Sequence, residues 1–183
     1  MKESTQSGFS PRTMTFCAVS AAVMCILGPM SIAIGAVPIS FTNLVIYLST
    51  FVIGRKRTTI SYIIYLLLGM FGLPVFSGYS GGFAKLAGPT GGYLIGFIFM
   101  AIICGCFWEK SQNKYITAVG MIIATAVAYI FGTAWFVVLM KCTWAYALGI
   151  CVFPFIIFDI IKIIIACVAG PIIRNRIAPF DTL

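Results

Sequence analysis

Six long apolar runs, separated by short polar or Gly/Pro-rich segments, constrain this chain more than any other feature. A helix that spans a bilayer needs about 20 apolar residues, and the first, fifth and sixth runs reach that length. The three shorter runs are expected to tilt or to extend into their flanks. The runs cover residues 14–34, 39–53, 59–71, 91–107, 115–139 and 146–173.

Composition excludes a water-soluble fold. The chain is 61% hydrophobic and only 9% charged, whereas soluble domains carry roughly 25% charged residues. We therefore predict an all-α integral membrane protein with six transmembrane helices. It forms a single membrane domain over residues 1–183, with a cytoplasmic tail at 1–13 and a six-helix bundle at 14–176.

The cations predict the orientation. The net charge is +8, but the cations cluster at the ends of apolar runs, which is typical of topology signals and not of a nucleic-acid surface. With both termini cytoplasmic, the outside holds Lys85 and Lys141, and Lys162 lies within the sixth run. The inside then holds Lys2, Arg12, Arg55, Lys56, Arg57, Lys110, Lys114, Arg174 and Arg176.

The sequence lacks the motifs of metal sites and of common catalytic sites. It has no histidine, and most of its seven cysteines fall within apolar runs, where cysteine behaves as a small hydrophobe. No P-loop, GxSxG or HExxH motif is present. We expect no metal, no cofactor and no catalytic residue, and if the chain moves a solute, another protein supplies the energy.

The segment GLPVFSGYSGGFAKLAGPTGGYLIGF, residues 72–97, breaks the helical pattern between the third and fourth spans. The cation pattern places it on the outer face, so it is predicted to be a long Gly/Pro-rich outer loop. Irregular backbone at membrane depth is tolerated only where it is buried in protein or lines a cavity. A simple re-entrant connector is the alternative. Its glycines are expected to permit positive φ and close approach of the backbone to a ligand: Gly78, Gly81, Gly82, Gly88, Gly91 and Gly92.

Asp159 and Lys162 lie in the middle of the sixth apolar run. A charge at the centre of a spanning helix costs about 2.5–3.5 kcal/mol, so such residues are functional candidates. Residues three apart project to one side of a helix, so both side chains can reach the same part of the bundle interior. The alternative is an ion pair that only fixes helix packing.

Small residues in the first span predict a contact surface. Ala18 and Ala22 are four residues apart, a spacing that lets another helix approach closely. Ser20 and Ala21 are expected to widen this surface. We interpret it as a candidate docking surface for a partner.

Several motifs occur in the order found in BioY proteins, which the chain resembles from about residue 18 to 176. They are VPISFTNL (37–44), GMFGLPV (69–75), SGG (80–82), GPTGGY (88–93) and FDIIK (158–162). BioY proteins are the membrane-embedded substrate-binding S components of energy-coupling-factor (ECF) biotin transporters. The resemblance implies a six-span fold in the bacterial cell membrane and an outward-facing biotin pocket.

The resemblance also implies roles for individual residues. Asp159 and Lys162 match the ligand-binding D-x-x-K motif, and Tyr93 matches the family tyrosine. Ser80 stands where other members carry an asparagine that faces ligand. Asn43, which with Ser40 and Thr42 departs from the common first-loop motif V-P-I-T-L-Q-T, completes the candidate site together with Gly92. Apolar walls are expected from Phe41, Phe76, Tyr79 and Tyr93.

The leading interpretation is a high-affinity biotin-binding subunit, not an enzyme. Its implied partners are a transmembrane coupling protein, which docks at Ala18 and Ala22, and two ABC-type ATPases. Two alternatives stay open at this stage. One is a membrane enzyme acting on lipid with Asp159 as general base beside Lys162, and the other is a solitary biotin facilitator.

Overall fold

The computed structural model describes residues 11–34, 37–111 and 113–181. The prediction of an all-α membrane protein with six helices is confirmed, and the helical segments Gly91–Ser111, Lys114–Met140 and Trp144–Ile177 are each long and apolar enough to cross a membrane. The elements are α1 (Pro11–Leu27), β1 (Ser31–Ile34), β2 (Val37–Ser40), α2 (Thr42–Met70), α3 (Phe83–Ala87), α4 (Gly91–Ser111), α5 (Lys114–Met140), α6 (Trp144–Cys151) and α7 (Phe153–Asp181).

Helix α2 contains both the second and the third apolar run. Gly54 interrupts it with φ 76° and ψ 179°, a backbone conformation that glycine adopts at little cost. The hydroxyls of Thr42 and Tyr65 lie 3.5 Å apart, so the beginning of the first half meets the end of the second half. The two halves are therefore antiparallel, and Gly54 forms the turn between them.

The helix of the second apolar run begins three residues later than expected. Residues 37–40 form strand β2, which pairs antiparallel with β1 so that Ser31 lies opposite Ser40. Val37 and Ile39 are both buried, as the period of two in a strand requires. Pro38 is tolerated because a two-stranded sheet has only edge strands.

The sixth apolar run was predicted to form one continuous helix. The structure instead divides it into α6 and α7 at Val152 (φ −126°, ψ −60°). The cause is Pro154, which lacks an N–H and clashes with the preceding turn of a helix, and is tolerated only within the first turn. Phe155 instead bonds through its N–H to the carbonyl of Val152 at 2.9 Å.

The loop between α2 and α4 has more structure than expected. It contains the short helix α3 and an isolated bridge between Phe76 and Ser80. Positive φ occurs at Gly78 and Gly82, as predicted, and also at Gly72 and Tyr79. Partial burial lowers the pKa of Lys85 in α3.

The expectation of positive φ is wrong for the other four glycines for which it was made, Gly81, Gly88, Gly91 and Gly92. Gly91 and Gly92 are the first residues of α4, and their lack of a side chain serves close packing. A Cβ on Gly92 would lie 2.3 Å from Cβ of Trp135 in α5, and a Cβ on Gly81 would lie 2.3 Å from the carbonyl oxygen of Leu73.

Contacts of cationic side chains bring several helix ends together at one end of the bundle. Arg55, next to the Gly54 turn, forms an ion pair of 3.1 Å with Glu109 near the end of α4. Arg174 of α7 lies over the ring of Trp108 at 4.9 Å, and Arg57 lies over Phe16 of α1 at 5.6 Å. The hairpin and the long loop lie toward the opposite end.

The core is rich in tyrosine, and its phenols have partners. Tyr62 donates to the carbonyl of Leu94 at 2.7 Å, and the hydroxyls of Tyr47 and Thr125 are 2.6 Å apart. Such partners are required because a polar group in an apolar environment is costly unless it is hydrogen-bonded. These bonds join α2 to α4 and α5, which fixes the walls around the site.

Candidate ligand-binding site

Asn43, Asp159 and Lys162 form a closed set of hydrogen bonds, which we call the polar ring. Nδ2 of Asn43 donates to Oδ1 of Asp159 at 2.7 Å. Nζ of Lys162 donates to Oδ1 of Asn43 at 2.9 Å and to Oδ1 of Asp159 at 3.1 Å. All three residues are at most 6% exposed, so the first turn of α2 and the N-terminal third of α7 meet through buried polar groups.

The ammonium group of Lys162 is saturated. Besides its two bonds within the polar ring, it donates to the carbonyl of Ser40 in the hairpin at 2.8 Å. An ammonium group has three hydrogens, and each has an acceptor. A buried ion pair is tolerated when the remaining donors and acceptors are satisfied, and this arrangement meets that condition for Lys162.

Tyr129 of α5 completes the surroundings of Asp159, and sequence reasoning missed it. Its hydroxyl donates to Oδ2 of Asp159 at 2.5 Å, so the carboxylate has two donors on one oxygen and one on the other. The available signal was spacing, since Thr125 and Tyr129 are polar residues four apart in an apolar run. Residues at that spacing share one helix face.

A cavity of about 50 Å³ adjoins the polar ring. Its walls come from the hairpin, the beginnings of α2 and α4, the middle of α5, α7 and the long loop. The lining residues are Val37, Pro38, Ile39, Ser40, Thr42, Asn43, Tyr65, Ser77, Thr90, Tyr93, Leu94, Phe97, Met100, Thr125, Ala128, Tyr129, Phe155, Asp159 and Lys162. An apolar pocket with a few placed polar groups is the usual design of a small-molecule site.

Tyr93 is the only one of the four aromatic side chains expected in the wall that lines the cavity. Its hydroxyl donates to the carbonyl of Cys151, at the break between α6 and α7. Phe76 is buried in the core against Tyr65, while Tyr79 is 70% exposed and Phe41 is only partly covered. Four other aromatic residues line the cavity instead, namely Tyr65, Phe97, Tyr129 and Phe155.

Ser80 and Gly92 lie outside the residues that line the cavity. The Ser80 hydroxyl donates to the carbonyl of Ser77 at 2.8 Å, and Ser77 itself lines the cavity. Gly92 packs against α5, where a Cβ would meet Trp135 and Phe131. In this arrangement Ser80 supports the neighbouring loop residue, and Gly92 sets the spacing between two helices.

Ala18 and Ala22 are exposed on α1, whereas Ser20 and Ala21 are buried. The hydroxyls of Ser20 and Ser49 are hydrogen-bonded at 2.8 Å, so Ser20 faces α2 and does not widen the exposed surface. A groove of about 780 Å³ runs along α1 and the second half of α2. Its lining is Met14, Cys17, Ala18, Ala21, Ala22, Cys25, Ile60, Ile64 and Leu68.

Comparison with known proteins gives consistent matches over most of the chain. Residues 1–179 match the model of the BioY family. Biotin transporter BioY2 of Lactococcus lactis is 35% identical over 161 residues, covering 86% of this chain and 87% of that protein. Biotin transporter BioY of Thermotoga maritima is 36% identical over 143 residues, covering 75% and 80%.

A solved structure has the same fold. It is the crystal structure of the S-component for biotin from an ECF-type ABC transporter, and it covers 90% of this chain and 91% of its own length. The TM-score is 0.83 and the sequence identity is 31%.

Proposed function

The chain belongs to the BioY family, and from this premise we propose that it is the biotin-binding S component of an ECF-type biotin transporter in the cell membrane. The observation that carries the proposal is the buried polar ring of Asn43, Asp159 and Lys162 at the edge of an aromatic cavity. The relatives that match are named as transporters, and the function is transport and not catalysis.

Recognition of biotin follows from the chemistry of this cavity. The ureido group of biotin has two N–H donors and one carbonyl, attached to an apolar fused ring. Oδ2 of Asp159 accepts one hydrogen bond, from Tyr129, and a carboxylate oxygen can accept two. Asp159 thus receives a ureido N–H, and Phe97, Phe155 and Tyr93 enclose the apolar ring.

The cavity has to widen when biotin enters. Its volume of about 50 Å³ is well below the roughly 300–1,000 Å³ of small-molecule pockets. The long loop is the wall best suited to move, because Gly78 and Gly82 have positive φ and much of the loop is exposed. In this proposal the loop is a lid that opens outward and closes over bound biotin.

Energy comes from partners. A transmembrane coupling protein and two ABC-type ATPases assemble with this chain, and both of its termini are cytoplasmic. The coupling protein docks on the groove along α1, where Ala18 and Ala22 present little side-chain bulk and the lining is apolar. Small residues allow the close helix approach that association in a membrane requires.

Purification in mild detergent tests the proposal. The protein is purified from cells grown with biotin and is then denatured. The small molecules that it releases are identified by mass spectrometry. Biotin in near-stoichiometric amount is expected from the unaltered chain. Absence of biotin, together with no binding of added biotin, would refute the assignment.

A further inference from the structure

Thr90 has a buried hydroxyl with no hydrogen-bond partner. The residue is 8% exposed and lines the cavity beside the polar ring, and its Oγ1 is among the buried polar atoms without a partner. Leaving a buried hydroxyl without a hydrogen-bond partner is energetically costly. Such a cost in a cavity wall points to a group that the cavity is built to receive.

The position of Thr90 at the beginning of α4 adds to this observation. Its carbonyl accepts from the N–H groups of Tyr93 at 3.1 Å and Leu94 at 3.2 Å, so Thr90 directly precedes the helix. A threonine there usually bonds the helix N–H groups through its side chain, but this hydroxyl does not. The first turn of α4 contains no acidic residue, so the positive end of the helix is not neutralised locally.

The polar ring leaves no cation for an anionic group in the cavity. Lys162 is the only cation among the lining residues. Its three hydrogens are donated to Ser40, Asn43 and Asp159, and the carboxylate of Asp159 neutralises its charge. The N-terminus of α4 is therefore the feature of the cavity wall that favours negative charge.

We infer that Thr90 and the N-terminus of α4 bind the carboxylate of the ligand's side chain, while the polar ring binds the ureido end. This inference rests on the proposed function, because it assigns the two ends of biotin within the same cavity. The Thr90 hydroxyl donates to a carboxylate oxygen, and the helix dipole adds to the attraction. Thr90 thus makes the site prefer biotin with its ionised carboxylate over derivatives in which that group is neutral.

The test compares biotin with biotinamide, in which the carboxylate is a neutral amide. Both are titrated calorimetrically into the purified full-length chain and into Thr90→Val, which keeps the side-chain shape and removes the hydroxyl. Thr58→Val is the matched control, since Thr58 is also buried with an unpartnered hydroxyl but lies outside the cavity lining. Thr90→Ser restores the hydroxyl and gives a second variant.

Biotin should bind Thr90→Val about tenfold or more weakly, because hydrogen bonds to charged groups are about twice as strong as neutral ones. The affinity for biotinamide should fall clearly less, so that the ratio of the biotin affinity to the biotinamide affinity decreases by roughly fivefold. Thr58→Val should bind both ligands as the unaltered chain does, and Thr90→Ser should keep the preference.

Each other result has a definite meaning. If Thr90→Val lowers the affinity for both ligands equally, or lowers neither affinity, the inference is overturned and the proposed function stays intact. Should Thr90→Val fail to fold, an unaltered chain that binds biotin and biotinamide equally overturns it as well. No biotin binding by the unaltered chain would instead refute the proposed function, and the inference with it.

Discussion

Nδ2 of Asn43 donates a 2.7 Å hydrogen bond to Oδ1 of Asp159, across 116 positions of the sequence. The bond ties the beginning of α2 to the N-terminal third of α7, and Lys162 closes the polar ring by donating to the same two residues. A ligand that bonds to Asp159 therefore acts on the contact between two helices that are distant in sequence.

The ion pair predicts an asymmetry between single and double substitutions. Lys162→Met should lower the free energy of unfolding by about 3–5 kcal/mol, because it leaves the Asp159 carboxylate buried without its cation. The double variant Asp159→Leu/Lys162→Met should be closer in stability to the unaltered chain, since replacing both partners by apolar residues is often neutral. Thermal unfolding in detergent measures both, and a double variant less stable than Lys162→Met would contradict this explanation.

Tyr129 is predicted to be a positioning residue for Asp159. Tyr129→Phe removes the donor to Oδ2 while keeping the ring, so the carboxylate loses its orientation. Biotin affinity should fall by roughly 10-fold or more, the effect of a hydrogen bond to a charged group. Tyr115→Phe, on an exposed position of the same helix, is the control. A tighter-binding Tyr129→Phe would mean that the hydroxyl competes with the ligand.

The groove along α1 predicts a separation of binding from transport. Ala18→Trp and Ala22→Trp should bind biotin normally but abolish uptake in cells that contain the coupling proteins, because added bulk prevents close helix approach. Val19→Trp places the same side chain on an exposed position outside the groove and should transport normally. Normal uptake by the two alanine variants would show that docking lies elsewhere.

The long loop is predicted to become ordered when biotin binds. Amides of residues 76–92 should exchange more slowly with biotin than without it, because lids belong to the least stable parts of a structure. Amides in the middle of α5 serve as the internal reference. Equal exchange of residues 76–92 in both states would show that the loop is a static connector.

Local sequence signals predicted the parts of the site that depend on one element. The spacing of Asp159 and Lys162 places them on one side of a helix, and the structure joins them at 3.1 Å. Ser77 and Phe155 could not be identified in this way, because their position beside the cavity depends on how distant segments pack. Pro154 indicates a break near Val152, but the uninterrupted apolar run led to the prediction of a single helix.

The hairpin was missed for a related reason. Residues 37–40 continue the hydrophobic pattern of the following helix, so composition alone does not separate them from it. Only the pairing of β2 with β1 and the bond from Lys162 to the carbonyl of Ser40 distinguish this segment. Both are contacts that form only in the folded protein.

The most direct test of the binding site is a calorimetric titration of biotin into Asp159→Asn. The amide is a weaker acceptor and leaves Lys162 without its counter-charge. A loss of about 1–3 kcal/mol is expected, which is roughly 5- to 150-fold in affinity, while Thr58→Val should bind as the unaltered chain does. Unchanged affinity in a folded Asp159→Asn variant would contradict the role of Asp159 in biotin binding. The ion pair would then only fix helix packing.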